Sequence, residues 1–240
     1  MGSEIKSFIT SRLAIYLLIL AGITVSQIKV FAQTNETSRK WTITLTEVSS
    51  AVFNKALRSQ PRSGIASKSG QFKKQGVLTL PLRNGKHIVL KDNSGKPHDE
   101  DRKRYTYYGF IKSLDRYVIS QQLYEGLNYL LINKNDGAIV PLRGVPALSP
   151  DGKIMFSTFW NPYEEHTNIQ PPSQDLCFSN VTNGKISAPY RVSYNKMVIA
   201  KFAWETNNSL VMSYTATTEA KDQHLRYARL RIERKKQSLI

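Results

Sequence analysis

The sequence predicts an all-β protein, a propeller-like array of small antiparallel sheets with one short helix near residues 46–59. Short apolar runs recur about every 8–12 residues with turn residues between them. The turn pattern of residues 133–137 recurs at residues 180–184, which indicates a repeated hairpin unit. After residue 76 no alternation of strands with helices remains, so a parallel α/β fold is excluded. A two-layer β-sandwich is the alternative, because it uses the same turns.

The N-terminal segment predicts a secretory signal peptide. Lys6 and Arg12 supply positive charge, residues 13–25 form an apolar run, and Ala32 is a small residue just before a cleavage point at Gln33. The run is shorter than the roughly 20 residues that span a bilayer. Membrane contact is therefore expected only through this segment, before it is cleaved.

Three regions follow from this interpretation. Residues 1–32 are the signal peptide, residues 33–40 a flexible leader, and residues 41–240 a single all-β domain, a length that suits one such domain. The chain is therefore expected to be exported by a bacterium to the periplasm or the extracellular space.

The predicted strands follow one another along the whole domain. Asn84-Gly85 between two apolar runs is a strong hairpin signal, because both turn positions need positive φ. The helix is predicted from apolar spacing of three to four residues, with Thr46 or Ser49 as its cap. Strands are predicted at residues 41–45, 77–80, 87–90, 105–110, 117–120, 127–132, 138–142, 153–159, 176–179, 185–189, 196–204, 209–215 and 224–235, and residues 160–175 are predicted as a loop.

The turn Ser149-Pro150-Asp151-Gly152 resembles the strand entry of periplasmic β-propeller repeats of the Tol-type and WD-like proteins. The resemblance covers about residues 126–214. It implies that a strand ends in an asparagine-containing turn, a second strand follows, and the Ser-Pro-Asp-Gly turn opens the next blade. Pro150 fixes φ and Asp151 bonds to nearby amides, so Asp151 is interpreted as a turn residue rather than a catalytic acid.

The charge of the chain favours anionic partners. It carries 34 lysines and arginines against 18 aspartates and glutamates, a formal net charge of +16, and such a field attracts anions over long range. After export the partner is expected to be an anionic envelope polymer or another envelope protein, and no specific nucleic-acid contact is predicted. Cys177, the single cysteine, stands in an apolar strand pattern that predicts a buried, inert thiol.

The candidate binding residues are aromatic and basic. Trp160 and Tyr163 could stack on a sugar or a base, although packing against a sheet explains them as well. A basic C-terminal strand, with a bulge expected near Ala228, is the other candidate surface, and a protective edge strand is its alternative explanation. Its cations are Arg226, Arg229, Arg231, Arg234, Lys235 and Lys236, with Lys68, Lys73 and Lys74 as further contacts.

The sequence predicts no catalytic residues, no metal site and no cofactor. The histidines and carboxylates lack the spacing of a zinc or calcium motif. The function expected is that of an exported, non-enzymatic binding or envelope-associated protein. The alternative is a glycan-active hydrolase or lyase with Glu164, Glu165 and Asp175 in a cleft at the end of a sheet.

Overall fold

The computed structural model describes residues 41–59, 64–66, 72–93, 101–124, 126–161, 173–195, 197–216 and 224–234. The predicted signal peptide and leader lie outside this part of the chain. Seventeen strands, one α-helix and a 3-10 turn at Lys112–Leu114 are described there, and every strand pairing is antiparallel. The all-β class is confirmed.

The strands form four sheets, here numbered along the chain. Sheet I contains β3 (Lys73–Lys74), β4 (Val77–Pro81) and β5 (His87–Lys91). Sheet II, in spatial order, contains β2 (Ile65–Ala66), β6 (Lys103–Ile111), β7 (Arg116–Leu123), β8 (Leu127–Asn133) and β9 (Ile139–Arg143). Sheet III contains β10 (Ala147–Leu148), β11 (Ile154–Asn161), β12 (Ser173–Thr182), β13 (Lys185–Ile186) and β14 (Tyr190–Asn195).

Sheet IV joins the first described strand to the last. Its spatial order is β1 (Trp41–Glu47), β17 (Arg226–Arg234), β16 (Ser209–Thr215) and β15 (Val198–Thr206). β1 pairs with β17 over seven residues, from Trp41 opposite Arg234 to Glu47 opposite Ala228. The N-terminal strand therefore completes a sheet built from the C-terminal strands.

The turns form where the sequence places them. Gly85 has a φ of +78°, but Asn84 does not take the positive φ that was predicted for both positions; its Oδ1 instead accepts the Lys86 amide at 3.0 Å. In the Ser-Pro-Asp-Gly turn, the Ser149 hydroxyl donates to Asp151 Oδ1 at 2.6 Å, and the Lys153 amide donates to the same oxygen at 3.1 Å. The interpretation of Asp151 as a turn residue is confirmed.

The sheets pack in series, each covering its neighbour. Leu78 and Leu80 of sheet I pack on Ile119 and Leu130 of sheet II. The other face of sheet II packs on sheet III, through Met155 of β11 and Val181 of β12, with Leu148 of β10 beside them. Sheets III and IV share the largest cluster, in which Phe156, Leu176, Phe178 and Val192 face Trp204, Leu210, Met212, Leu230 and Ile232.

Helix α1 (Ser50–Ser59) covers the remaining face of sheet IV. The Ser49 carbonyl accepts the amides of Val52 and Phe53, so the helix begins after Ser49, the second of the two predicted caps, and not after Thr46. Phe53 and Ala56 pack against Ala203 and Val211 of the sheet. The helix is thus held by its apolar side, as expected for a short amphipathic segment.

Three predictions about strands are wrong. β17 is not an edge strand, because β1 and β16 pair on either side of it. Its register is continuous, and the irregularities lie in β6 and β15 instead, so no bulge interrupts it near Ala228. Asp175, predicted in a loop, lies within β12 because that strand begins at Ser173. In addition, β14 was not predicted. The propeller-like arrangement stays a prediction.

We expect Gly144→Ala to destabilise the fold strongly. Gly144 has a φ of +84°, and a Cβ at this position would overlap the carbonyl oxygen of Thr158 in β11. The left-handed backbone and the overlap together should cost roughly 2–5 kcal/mol. Urea unfolding measures this loss.

Gly85→Ala is the matched control. Gly85 has a similar φ of +78° with open space around it, so only the backbone term of about 1–2 kcal/mol applies. Equal losses in the two variants would contradict the close approach of sheets II and III at Gly144.

Candidate functional site

The structure places the predicted binding residues on two different sheets. Trp160 is half-buried in β11, opposite Gln174, whereas the basic residues belong to β17 in sheet IV. Arg226 and Arg231 are exposed, and Arg234 pairs through its backbone with Trp41. The structure therefore does not bring Trp160 and these arginines together on one sheet. Tyr163, Lys235, Lys236 and Lys68 lie outside the described residues.

Arg229 forms an ion pair within sheet IV. Its Nε and Nη2 each donate to a different oxygen of Glu205 at 2.6 Å, and the Ser209 hydroxyl donates to Glu205 Oε2 at 3.0 Å. The hydrogen bonds from Arg229 hold the pKa of Glu205 below its ordinary value. Such bidentate pairs fix both side chains. Arg229 therefore connects β17 with β15.

A group of exposed cations lies where sheet I meets sheet II. We call it the basic corner: Lys74, Lys91, Lys103 and Arg104. Lys74 and Lys91 both lie opposite Val77 in neighbouring strands, so they share one face of sheet I. A bridge between Asn93 and Lys103 brings the start of β6 beside the end of β5. The topology, rather than sequence proximity, assembles this group.

Asp92 connects the strands that carry the basic corner. Its Oδ2 accepts from Lys73 Nζ at 2.6 Å, and its Oδ1 accepts from the Tyr105 amide at 2.9 Å. Burial alone would raise the pKa of Asp92, but these hydrogen bonds and the charges of Lys73 and Arg104 lower it. Asp92 is thus ionised near neutral pH, and its charge is matched by Lys73.

The basic corner presents its charge on the surface of the described part of the chain. All four residues are exposed. Within the described ranges none of them forms an ion pair with a carboxylate. An anionic surface can therefore approach them without first displacing an internal partner from the described residues.

A second polar group is buried on the face of sheet III that points away from sheet IV. The Ser193 hydroxyl donates to Asp175 Oδ1 at 2.6 Å, and Arg191 Nε lies 3.8 Å from Asp175 Oδ2. The Asp175 side chain is 6% exposed, whereas that of Arg191 is 49% exposed. Cys177 lies opposite Arg191, and burial raises the pKa of its thiol. The prediction of a buried Cys177 is confirmed.

This buried group offers one carboxylate, not two. Glycoside hydrolysis generally uses a pair of carboxylates about 5–10 Å apart. Asp175 has a hydroxyl and a guanidinium as its recorded polar partners, and Glu164 and Glu165 lie outside the described residues. In the described part of the chain, histidines, cysteines and carboxylates form no group of three that could hold a metal ion.

Sequence reasoning missed most of the basic corner and the partners of Asp175. Of the four corner cations, only Lys74 was predicted as a contact. Lys91, Lys103 and Arg104 were assigned to a charged loop, although each borders an apolar strand pattern. The alternation of Val192 and Tyr194 with polar residues was the available signal for β14.

No protein family, no curated protein and no solved structure matches the chain. Among the described residues, no helix has the length and apolar character needed to cross a membrane.

We expect Glu205→Gln to lower stability in a pH-dependent way. Because the folded-state pKa of Glu205 is lowered, its contribution is present above the unfolded value of about 4.3 and is lost as the pH falls through the folded value. For this partly exposed pair the cost near neutral pH should be about 1–2 kcal/mol. Urea unfolding of wild type and variant near neutral pH and at about pH 3 measures it.

Glu233→Gln is the control, since Glu233 is an exposed carboxylate on the same strand. It should change stability by less than about 0.5 kcal/mol. An equal difference between wild type and Glu205→Gln at both pH values would contradict the assignment of the ion pair.

Proposed function

We propose that the protein is an exported, non-enzymatic binding protein that contacts an anionic envelope polymer through the basic corner. The observation that carries this proposal is the gathering of four exposed cations, without described carboxylate partners, at the junction of sheets I and II. Localisation in the periplasm or outside the cell is part of the proposal and rests on the signal segment.

The distribution of ion pairs supports an outward-facing positive charge. Asp92, Asp115 and Glu205 are engaged by Lys73, Arg83 and Arg229 at 2.6–2.7 Å. These carboxylates are thus used to join strands and turns. With a net charge of +16 for the chain, the surplus cations are left on the surface, where they raise the local concentration of anions.

A polymer suits this surface better than a small ligand. The four cations are long, exposed side chains spread over the ends of β3, β5 and β6. Binding by such side chains adds small, salt-screened contributions, which become appreciable only when one ligand meets several of them. A repeating anionic chain can contact several of these cations at once.

A propeller-like arrangement remains part of the proposal. Its support is the succession of meandering sheets, each packed on the next, and the completion of sheet IV by β1. The outer face of sheet I leaves Val89 60% exposed, and α1 covers the outer face of sheet IV. The arrangement that we propose is therefore an open series of blades rather than a closed ring. An experimental structure with a sheet covering Val89 would contradict the open form.

The combined change Lys74→Glu, Lys91→Glu and Lys103→Glu should weaken binding to heparin, used as a model anionic polymer. At about 1 kcal/mol for each lysine at an anionic surface, the loss amounts to roughly 100-fold in Kd at low salt. Titration of the exported protein with heparin at several salt concentrations measures this loss of affinity.

The mass of the exported protein tests the predicted cleavage separately, and it should correspond to an N-terminus at Gln33.

The control carries the same change of net charge elsewhere. Lys153→Glu, Lys185→Glu and Lys201→Glu replace exposed lysines of sheets III and IV. Their combined effect should be much smaller, because these lysines lie outside the basic corner. Equal losses in both triple variants would show that only overall charge matters, and wild-type protein without salt-dependent binding would refute the proposal.

The buried carboxylate favours one second candidate, a glycan-active hydrolase or lyase that uses Asp175. A buried, hydrogen-bonded carboxylate beside a half-exposed arginine is a group that an active site can use. Asp175 is buried, and both Ser193 and the half-exposed Arg191 surround it. Structural ion pairs have the same appearance, so an assay has to separate the two roles.

We expect Asp175→Asn to affect stability and not activity. The new amide can still hydrogen-bond to Ser193, but it removes the negative charge that faces Arg191, at a cost of about 1–3 kcal/mol. Asp136→Asn, in an exposed turn where Asp136 Oδ1 accepts from the Ala138 amide, is the control with a smaller cost. Release of reducing ends from acidic polysaccharides by the wild type, lost in folded Asp175→Asn, would favour the enzyme instead.

A further inference from the structure

Arg116 is a buried arginine between sheets II and III. It is the first residue of β7, opposite Ile111 of β6 and Asn133 of β8. Only 6% of it is exposed. Its Nη2 reaches across to sheet III and donates to the Gly184 carbonyl at 3.4 Å, in the turn between β12 and β13. The guanidinium therefore lies between the β6–β7 turn of sheet II and the β12–β13 turn of sheet III.

Most of the guanidinium has no acceptor in the described structure. Nε and Nη1 are both buried and make no hydrogen bond, and the single bond of Nη2 is long. A guanidinium offers five N–H donors, and buried donors are nearly always paired. At least three of the five N–H groups thus lack a described partner.

The charge of Arg116 is also uncompensated at contact distance. Among the described residues no carboxylate lies within ion-pair distance of it. Asp136 attracts it from farther away, but Asp136 Oδ1 accepts the Ala138 amide within its own turn. Burial opposes the charged form and lowers the pKa of Arg116. An arginine nevertheless stays protonated in proteins, so the positive charge remains.

A buried, unpaired charge costs several kcal/mol. A water molecule could accept one or two of the free N–H groups but would leave the charge. An oxyanion meets both needs, because its oxygens match the planar fork of the guanidinium and its charge is opposite. Asn133, half-buried and next to Arg116 across the strands, has an amide that could add a further donor.

We propose that Arg116 forms the centre of a binding site for a small oxyanion, such as phosphate or a carboxylate, between the turn regions of sheets II and III. Nε and Nη1 of Arg116 are closed to solvent in the structure, so the two turns would separate slightly before the anion accepts from both of them. By neutralising the charge it would stabilise the packing of the two sheets. This site is separate from the basic corner on sheets I and II, so either could exist without the other.

The test is thermal unfolding of the full protein in phosphate, sulfate, acetate or chloride at constant ionic strength. Phosphate is the principal probe. At a concentration about 100-fold above its Kd, phosphate should raise the Tm of the wild type by roughly 5–10 °C over chloride. Arg116→Met should abolish this rise. Without an oxyanion the Arg116→Met variant should be as stable as the wild type or more stable, because a buried charge has been removed.

Arg83→Met is the matched control. Arg83 is an exposed arginine on a neighbouring turn, paired with Asp115 at 2.7 Å, and this variant should keep the full response to phosphate. If Arg116→Met does not fold, Arg116→Lys replaces it, with a reduced response expected because lysine lacks the fork. Equal responses of wild type and Arg116 variants, or no response of the wild type to any oxyanion beyond chloride, would overturn the proposal.

Discussion

The structure depends on the requirement that every central sheet bury both of its faces. Sheet II packs through Leu130 on sheet I and through Leu131 on sheet III, so adjacent residues of β8 serve opposite cores. A shift of one residue would exchange the two sets. The serial packing thus fixes the register of the strands, and through the register it fixes which polar side chains meet. Helix α1 ends the series by covering sheet IV.

The charged residues follow this division of space. Carboxylates on strands and turns are used internally: Asp92 joins sheet I to sheet II, and Glu205 joins β15 to β17. Most cations in the described part of the chain are exposed. Arg116 is buried instead, because it lies on the packed face of sheet II. The surface of the described structure is therefore mainly positive, whereas the ion pairs that join its strands balance their own charge.

The sequence predicted local features better than it predicted neighbours. Gly85 and the Ser149–Gly152 turn were recognisable because positive φ and Asp–amide bonding are encoded within a few residues. The bounds of β16 were predicted correctly. β17 was misjudged, because Tyr227 packs under α1 while Ala228 packs towards sheet III. Apolar residues on both faces of one strand resemble a break in alternation, and only the tertiary packing resolves it.

The candidate sites were less predictable for the same reason. Lys74 and Lys103 are far apart in sequence, and they come to the same end of sheet I only through the pairing of β3, β4, β5 and β6. Likewise, Ser193 meets Asp175 because β14 pairs with β12. No local pattern specifies such cross-strand partners. A buried arginine such as Arg116 is equally invisible, since a basic residue at a strand start ordinarily faces solvent.

The pairing of β1 with β17 has a consequence for the order of folding. Sheets I and III, and sheet II apart from β2, contain only strands that follow one another along the chain, so each can form as its own part of the chain leaves the ribosome. Sheet IV cannot be completed until β17 has emerged, because β1 has no other described partner strand. During synthesis, β1 and one side of α1 would stay uncovered. In the exported protein that we propose, this exposure would occur outside the cytosol, and sheet IV would close as the last step.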